Sequence, residues 1–299
     1  MKIYFDNVDL NSSSGPNSFA QKLSSEFTRN GHQISDHVDC DIHLSFILST
    51  KPHHQKLVQR LDGIYFNSAQ DWKALNEPIR RTFEISSGVI YQSNFNKDLT
   101  EAFFGEHEKN TVIHNGSDIE FIKSCPVIEH EIFDKFETVW TCASSWRPHK
   151  RLKENVRYFL EHSSTKDCLV VAGNNPDFIS ESDRVFYTGN LDKNSLIGLY
   201  KRSKKFIHLS LMDHCPNVVV DARAAGCEII CASSGGTREI AGPDATVVTD
   251  MDWEFKPFKL YEPPDLDFSQ KQKNLEWDIP AGIKHSAQKY LDFFNEVLK

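Results

Sequence analysis

The chain has 299 residues, a length that exceeds one small core and fits two domains. Hydrophobic residues make up 39% and charged residues 25% of it, a composition that excludes a disordered or fibrous protein. The formal net charge of -8 argues against nonspecific binding to nucleic acids or anionic membranes, because both need a surplus of lysine and arginine. Any phosphate site must therefore be local.

Short apolar runs alternate with helical or polar stretches along the first part of the chain. Residues 2–5 read as a buried strand, and a polar loop leads to Gly15-Pro16. A helix is predicted from Asn17, because Phe19, Leu23 and Phe27 recur every four residues before Asn30-Gly31 ends the pattern. Further strands are predicted at residues 42–48, 63–66, 88–91 and 111–113. This alternation is typical of a parallel sheet covered by helices.

The second part of the chain repeats this pattern after residues 115–118, where we place a domain boundary. Helices are predicted over residues 194–203 and 218–225, the second ending at a left-handed Gly226, and a final helix over 283–298. Strands are predicted at residues 138–142, 168–172, 185–187, 206–209 and 228–231. The fold class predicted from the residues is therefore α/β, with two Rossmann-like domains.

The cysteines and the apolar runs indicate the compartment. Seven cysteines are an odd number, and none has the C-x-x-C spacing of a zinc or redox site, so we expect reduced thiols in a cytoplasmic protein. We expect no secretory signal, because few apolar residues follow Met1. No run approaches the roughly 18 apolar residues that a membrane span requires, which leaves peripheral membrane association open.

Residues 213–226 place two carboxylates, Asp213 and Asp221, on either side of a helix start. Pro216-Asn217 precedes an apolar helix, whose first backbone N–H groups can meet an anion or sugar hydroxyls. Asp221, about one turn further, can accept hydrogen bonds from a ribose diol. The alternative is an N-cap followed by a solvated helix carboxylate.

Two other segments follow predicted strands and carry residues suited to phosphate. Residues 233–239 contain Gly235-Gly236, which can bring backbone amides close to a phosphate, or can form only a tight turn. Residues 144–151 place Arg147, Lys150 and Arg151 within five positions, a natural partner for a diphosphate or a solvated basic turn. All three segments are expected at the carboxyl ends of parallel strands, where such sheets bind ligands.

The order and spacing of these segments resemble the donor domain of retaining GT-B-fold glycosyltransferases of the group 1, or glycogen-synthase-like, class. The family pattern is a lysine after a strand, a glycine before a Leu-Tyr helix, a Glu-x7-Glu motif and a Gly-Gly-x-x-Glu turn. The matching residues here are Lys150, Gly189, Leu199-Tyr200, Asp213, Asp221 and residues 235–239. The first half resembles the family through Ser14-Gly15-Pro16 and residues 112–118.

The resemblance implies a role for each matching residue. Lys150 would neutralise the donor diphosphate with Arg147 as a second cation, Asp221 would hold the ribose, and Asp213 would face the transferred sugar. The implied catalytic residues are Asp213, Lys150 and Arg147. The implied donor-binding residues are Gly15, Ser145, Lys150, Cys215, Pro216, Asn217, Val218, Asp221, Gly235, Gly236 and Thr237.

The resemblance also implies the domain roles. Residues 1–118 would be a shortened acceptor-side domain, residues 119–282 the nucleotide-sugar donor domain, and residues 283–299 a helix crossing back to the first domain, docked by Phe293-Phe294. The two parallel sheets would face a central cleft. The acceptor-side histidine is not located; His43 and His114 are the nearest candidates, each with a structural role as the alternative.

The activity implied is transfer of a sugar from a nucleoside-diphosphate sugar to a hydroxyl acceptor with retention of configuration. The acceptor would be a glycan, a lipid-linked glycan or another hydroxyl compound, and no metal, cofactor or nucleic acid would take part. Both family glutamates are aspartates here, and Ser145 stands where the family has an arginine. A weakly active or inactive nucleotide-sugar-binding protein is therefore an alternative, as is another GT-B enzyme such as a nucleotide-sugar epimerase.

Overall fold

The structure is a computed structural model that describes residues 1–12, 15–52, 56–274 and 276–299. Ser14 lies outside the described residues. The helices are α1 (Gly15–Arg29), α2 (Trp72–Ile85), α3 (Asn94–Phe104), α4 (Ile119–Ser124), α5 (Leu152–His162), α6 (Lys193–Arg202), α7 (Asn217–Ala224), α8 (Thr237–Ile240) and α9 (Ile283–Leu298). The strands are β1 (Lys2–Asp6), β2 (Gln33–Ser35), β3 (Ile42–Phe46), β4 (Lys56–Leu61), β5 (Gly88–Tyr91), β6 (Asn110–Val112), β7 (Thr138–Ala143), β8 (Asp167–Ala172), β9 (Val185–Gly189), β10 (Lys205–His208), β11 (Glu228–Ala232), β12 (Thr246–Val248) and β13 (Lys271–Lys273).

The chain divides into two compact units. The first contains Met1–Asp118, Phe255–Phe258 and Gly282–Lys299, and the second contains Ile119–Glu254 and Lys259–Ala281. Residues 255–258, which the sequence placed in the C-terminal domain, pack with the first unit instead. Phe258 stacks on Phe66 with ring centroids 5.9 Å apart, and Phe255 lies 6.1 Å from Phe95. These aromatic contacts explain why the segment leaves the second unit.

The first unit is built on a parallel sheet with the order β2-β1-β3-β4-β5-β6. Its core includes the terminal helix α9, which packs against α1. Phe294 is fully buried with its ring centroid 6.0 Å from that of Phe27, and Phe293 is also buried. The packing of Phe293-Phe294 in the N-terminal core agrees with the sequence prediction.

The second unit is built on a sheet with the order β13-β12-β11-β10-β7-β8-β9, parallel except for the antiparallel pair of β12 and β13. Successive residues of the central strands alternate between two buried clusters, with Val139 in one and Trp140 in the other. Both faces of the sheet are therefore covered, as expected for parallel strands connected by helices.

One strand of the first unit differs from its prediction. Residues 63–66 lie outside the sheet, and the strand is β4, whose sequence includes the buried polar residues Gln59 and Arg60. The Gln59 amide donates to the backbone oxygens of Ile47 and Ile79, at 2.6 and 3.0 Å. Arg60 donates to Asn115 Oδ1 at 2.7 Å. Because these polar groups are paired inside the unit, they can occupy a central strand that no apolar run predicts.

No helix among the described residues is both long enough and apolar enough to cross a membrane.

Candidate functional site

The loops that follow β7, β10 and β11 meet at the carboxyl edge of the second unit's sheet. These strands are neighbours, in the order β11-β10-β7. The strand order reverses between β10 and β7, and a crevice at such a reversal is where open α/β sheets bind ligands. The three segments that the sequence marked for phosphate and sugar binding start at these strand ends.

Asp213 is the centre of this edge. Its Oδ2 accepts hydrogen bonds from Lys150 Nζ at 2.6 Å and pairs with His208 Nε2 at 2.9 Å. Its side chain is 14% exposed. Burial alone would raise the pKa of Asp213, but the charge of Lys150 and the hydrogen bond from His208 outweigh it and hold the pKa well below its usual range. The site therefore contains an ionised carboxylate paired with a lysine.

The glycine turn after β11 packs directly on the backbone of Asp213. The Gly236 N–H donates to the Asp213 carbonyl oxygen at 2.8 Å. Gly235 has a φ of +80°, and a Cβ there would lie 2.5 Å from the same oxygen. Thr237 follows at the start of α8, is 1% exposed, and its hydroxyl has no hydrogen-bond partner among the described residues. A glycine is thus required for the turn to approach Asp213.

Helix α7 begins beside this cluster. Its N-cap is Pro216, which supplies no side-chain hydrogen bond to the first turn. Cys215 is buried, while Asn217, Val218 and Asp221 are partly buried. The sequence predicted a helix start at this position. Because the N-cap side chain accepts no hydrogen bond, the first backbone N–H groups of the helix need acceptors other than that side chain.

The remaining predicted site residues are not all in this cluster. Ser145 and Arg147 are exposed in the loop after β7, and Arg147 forms no ion pair with any residue that the structure describes. Gly15 is the first residue of α1 in the first unit, and a Cβ there would meet nothing within 4 Å. The structure therefore brings together Lys150, Asp213 and Gly235-Gly236.

Arg151 is a correction to the sequence prediction. It was one of three cations proposed for a diphosphate, but its side chain is 1% exposed and its Nη1 lies 2.7 Å from Asp250 Oδ2. It is committed to an internal ion pair and is not available to a ligand as a free cation. No local pattern in the sequence predicts that a carboxylate 99 residues away pairs with it.

His208 is a site residue that the sequence analysis missed. It occupies the last position of β10, within a run predicted only as a buried strand. A histidine that interrupts an apolar strand five residues before a predicted site carboxylate was the available signal.

Both candidates for an acceptor-side histidine are buried. His43 is fully buried on β3, and its Nε2 lies 3.0 Å from Asp6 Oδ2. His114 is buried, and its backbone oxygen accepts a hydrogen bond from Ser286 Oγ at 2.8 Å. A fully buried ring cannot touch an acceptor, so His43 is not such a residue in this arrangement.

Buried histidines near the site predict a loss of stability in acid. Burial lowers the pKa of His149 to about 3 and that of His214 to about 4, and the pKa of His208 is also lowered. Below about pH 6.5 these histidines bind protons more readily in the unfolded chain than in the folded protein. The stability that the neutral histidines contribute is therefore complete above that pH and is lost as the pH falls.

His149→Phe should reduce this acid sensitivity, because phenylalanine keeps the stacking on Tyr261, whose ring centroid is 5.3 Å away, but cannot bind a proton. Denaturant unfolding at about pH 7 and about pH 4 should show a smaller loss of unfolding free energy for the variant than for the wild type. The control His37→Gln, at an exposed position, should keep the wild-type pH dependence. Equal losses in His149→Phe and the wild type would contradict the buried neutral state.

Part of the chain matches a known family. Residues 145–254 match the family described as "Glycosyl transferases group 1". No curated protein matches the sequence.

Solved structures share the fold. AviGT4, a glycosyltransferase involved in avilamycin A biosynthesis, is 13% identical with a TM-score of 0.66, covering 100% of this chain and 98% of its own. Sucrose-phosphate synthase from Thermosynechococcus elongatus is 12% identical with a TM-score of 0.66, covering 100% and 92%. Anabaena HepE, solved in complex with UDP-glucose, is 14% identical with a TM-score of 0.63, covering 100% and 92%. The chain therefore has an α/β fold of the GT-B type, and its residues 145–254 match the group 1 glycosyltransferase family.

Proposed function

We propose that the chain transfers a sugar from a nucleoside-diphosphate sugar to a hydroxyl acceptor, with retention of the anomeric configuration. The observation that carries the proposal is the contact of three loops around Asp213: Lys150 Nζ lies 2.6 Å from its carboxylate and the Gly236 N–H lies 2.8 Å from its carbonyl oxygen. A lysine, a glycine turn and a helix start at one sheet edge are the parts that bind a diphosphate.

In this proposal Lys150 and Arg147 neutralise the diphosphate as it leaves, and the start of α7 adds backbone N–H groups. Asp221 binds the ribose diol. Asp213, already ionised in the protein, faces the transferred sugar, where a carboxylate stabilises the positive charge that develops at the anomeric carbon. Catalysis then depends on positioning and on charge stabilisation.

Uridine is the first base to test, because Anabaena HepE binds UDP and UDP-glucose. We propose that the reaction needs neither a metal ion nor a cofactor, since cationic side chains and backbone N–H groups carry the charge. The acceptor is proposed to be a glycan or lipid-linked glycan, reached by a cytoplasmic protein with peripheral membrane association.

The aspartates at positions 213 and 221 favour a second candidate, a nucleotide-sugar-binding protein with little turnover. An aspartate is one methylene shorter than the glutamate of the family pattern, and Asp213 is held by Lys150 and His208. Binding of a donor without transfer or hydrolysis would select this candidate.

A panel of nucleoside diphosphates and their sugars tests the proposal by thermal shift and calorimetry, with and without EDTA. We expect one diphosphate to raise the unfolding midpoint selectively and EDTA to have no effect, because a ligand of the native state stabilises it. Asp221→Asn should weaken binding of the nucleotide by about tenfold, the equivalent of about 1.4 kcal/mol for a lost hydrogen bond to a charged group. No shift with any nucleotide in the wild type would overturn the proposed function.

A further inference from the structure

Arg151 has an unusual backbone and an unusual environment for an arginine. It lies between Lys150 and the first residue of α5, and its φ of +53° and ψ of +50° place it in the left-handed region. Its side chain is almost completely buried. Both a left-handed conformation in a residue other than glycine and a buried charge are unfavourable, and such costs persist where the surroundings impose them.

The partner of Arg151 is Asp250, which follows β12. Arg151 donates from Nη1 to Asp250 Oδ2 at 2.7 Å and from Nη2 to Oδ1 at 3.1 Å, a two-bond arrangement that fixes the orientation of both groups. Each side chain is 1% exposed. The pair is therefore shielded from solvent and from salt.

This ion pair connects the loops of the candidate site. Ser234 Oγ, in the glycine turn after β11, donates to Asp250 Oδ2 at 2.5 Å, and the Asp250 N–H donates to Ser233 Oγ at 2.9 Å. Arg151 Nη1 also lies 3.4 Å from the backbone oxygen of Leu209, in the loop after β10. One buried pair thus contacts the loops after β7, β10, β11 and β12.

The backbone beside Lys150 is held by the same region. Asn155 Nδ2, on α5, donates to the Arg151 oxygen at 2.6 Å and to the Lys150 oxygen at 3.1 Å. The Lys150 ammonium contacts Asp213, while its backbone is fixed through its neighbour. Displacement of Arg151 would therefore move Lys150.

We propose that the Arg151–Asp250 ion pair positions Lys150 and the glycine turn for the diphosphate of the nucleotide. This inference rests on the proposed function, because that function assigns the diphosphate site that the ion pair positions. Arg151 and Asp250 act through Lys150 and Gly235-Gly236 and are positioning residues. The shielding of both charges makes their geometry insensitive to the ionic strength that weakens exposed pairs.

Arg151→Gly tests the side chain alone. It removes the guanidinium, while glycine adopts the left-handed backbone conformation without strain. We expect binding of UDP, measured by calorimetry, to weaken by about 10- to 100-fold, the range for misplaced binding groups. In a Lys150→Ala background the same substitution should weaken binding by a smaller factor than in the wild type, because the part of its effect that acts through Lys150 is already lost. If Arg151→Gly weakens UDP binding by the same factor in the wild type and in Lys150→Ala, Arg151 does not act through Lys150.

The control is Arg157→Ala. Arg157 also extends from α5 to a distant segment, donating to the Leu266 backbone oxygen and pairing with Glu154, and among the described residues it forms no hydrogen bond or ion pair with the site loops. This variant should bind UDP as the wild type does. A loss equal to that of Arg151→Gly would show that any weakened attachment of α5 suffices and would overturn the inference.

Amide hydrogen exchange of the ligand-free protein separates this inference from the proposed function. Arg151→Gly should exchange at least about tenfold faster at the Gly236 amide, whose partner is Asp213, whether or not a nucleotide binds. Unchanged exchange would overturn the positioning role even if UDP binds the wild type. Faster exchange in a protein that binds no nucleotide would reject the proposed function alone. If Arg151→Gly does not fold, Ser234→Ala, which removes one hydrogen bond to Asp250, should show the same two changes at smaller size.

Discussion

Lys150→Ala should abolish sugar transfer and weaken the binding of UDP by about 10- to 100-fold. A hydrogen bond to a charged group contributes about 1.5–3 kcal/mol, and each 1.4 kcal/mol is a factor of ten in affinity. Transfer should fall further than binding, because the charge on the leaving diphosphate is greatest in the transition state. Calorimetry with UDP and a donor-consumption assay give the two quantities separately.

The same substitution leaves the Asp213 carboxylate without its lysine. Asp213 would keep the contact with His208, 2.9 Å away, so we expect destabilisation by at most about 3 kcal/mol, the lower end for one broken buried pair. Binding must therefore be measured well below the unfolding midpoint of the variant. The matched control is Lys153→Ala, which removes an exposed lysine three residues along the chain and should bind UDP normally. Wild-type affinity in Lys150→Ala would show that Lys150 does not contact the nucleotide.

The sequence was sufficient to predict much of the fold because most strands are buried on both faces. A parallel strand covered by helices needs a continuous apolar run, and such runs marked β5, β8 and β11 to within one residue. The terminal helix was predicted over residues 283–298, which are its observed bounds. Its apolar positions recur at helical spacing, and the pattern is read from local sequence alone.

The sequence was insufficient where a polar group depends on a distant partner. Gln59 and Arg60 interrupt the apolar run of β4, so that no apolar pattern predicts this strand. Their partners include Asn115, which lies 55 residues from Arg60. Arg151 appeared to be a free cation for the same reason. Pattern reading assigns a charged residue to solvent or to a ligand, and only the folded chain shows that Asp250 neutralises it.

The candidate site lies between these two cases. Lys150, Asp213 and Gly235-Gly236 could be grouped in advance, because each follows a predicted strand and parallel strands end at the same edge of a sheet. The order of the strands could not be predicted from spacing, and that order makes β7, β10 and β11 neighbours. This strand order also places His208 in the site, because His208 lies at the end of β10, the central strand of these three.

Gly235→Ala should destabilise the second unit and remove nucleotide binding together. An alanine at its φ of +80° is strained, and the added Cβ would lie 2.5 Å from the Asp213 oxygen, 2.8 Å from the Asp213 nitrogen and 2.9 Å from the Met212 carbonyl carbon. All three are backbone atoms, which cannot rotate away as a side chain can. The turn or the segment around Asp213 must move, and we expect a loss of about 3 kcal/mol or more in unfolding free energy.

Gly226→Ala is the matched control for the backbone conformation. Gly226 has a φ of +103°, but a Cβ there would meet nothing within 4 Å. The free energy of unfolding of the control should therefore fall only by the cost of the left-handed conformation, about 1–2 kcal/mol. The control should bind UDP with wild-type affinity. The difference between the variants measures the close approach of the glycine turn to Asp213, by denaturant unfolding for stability and by calorimetry for UDP. If Gly235→Ala is no less stable than Gly226→Ala and binds UDP equally well, the turn does not depend on that contact, and the donor site cannot be built around Asp213 as proposed.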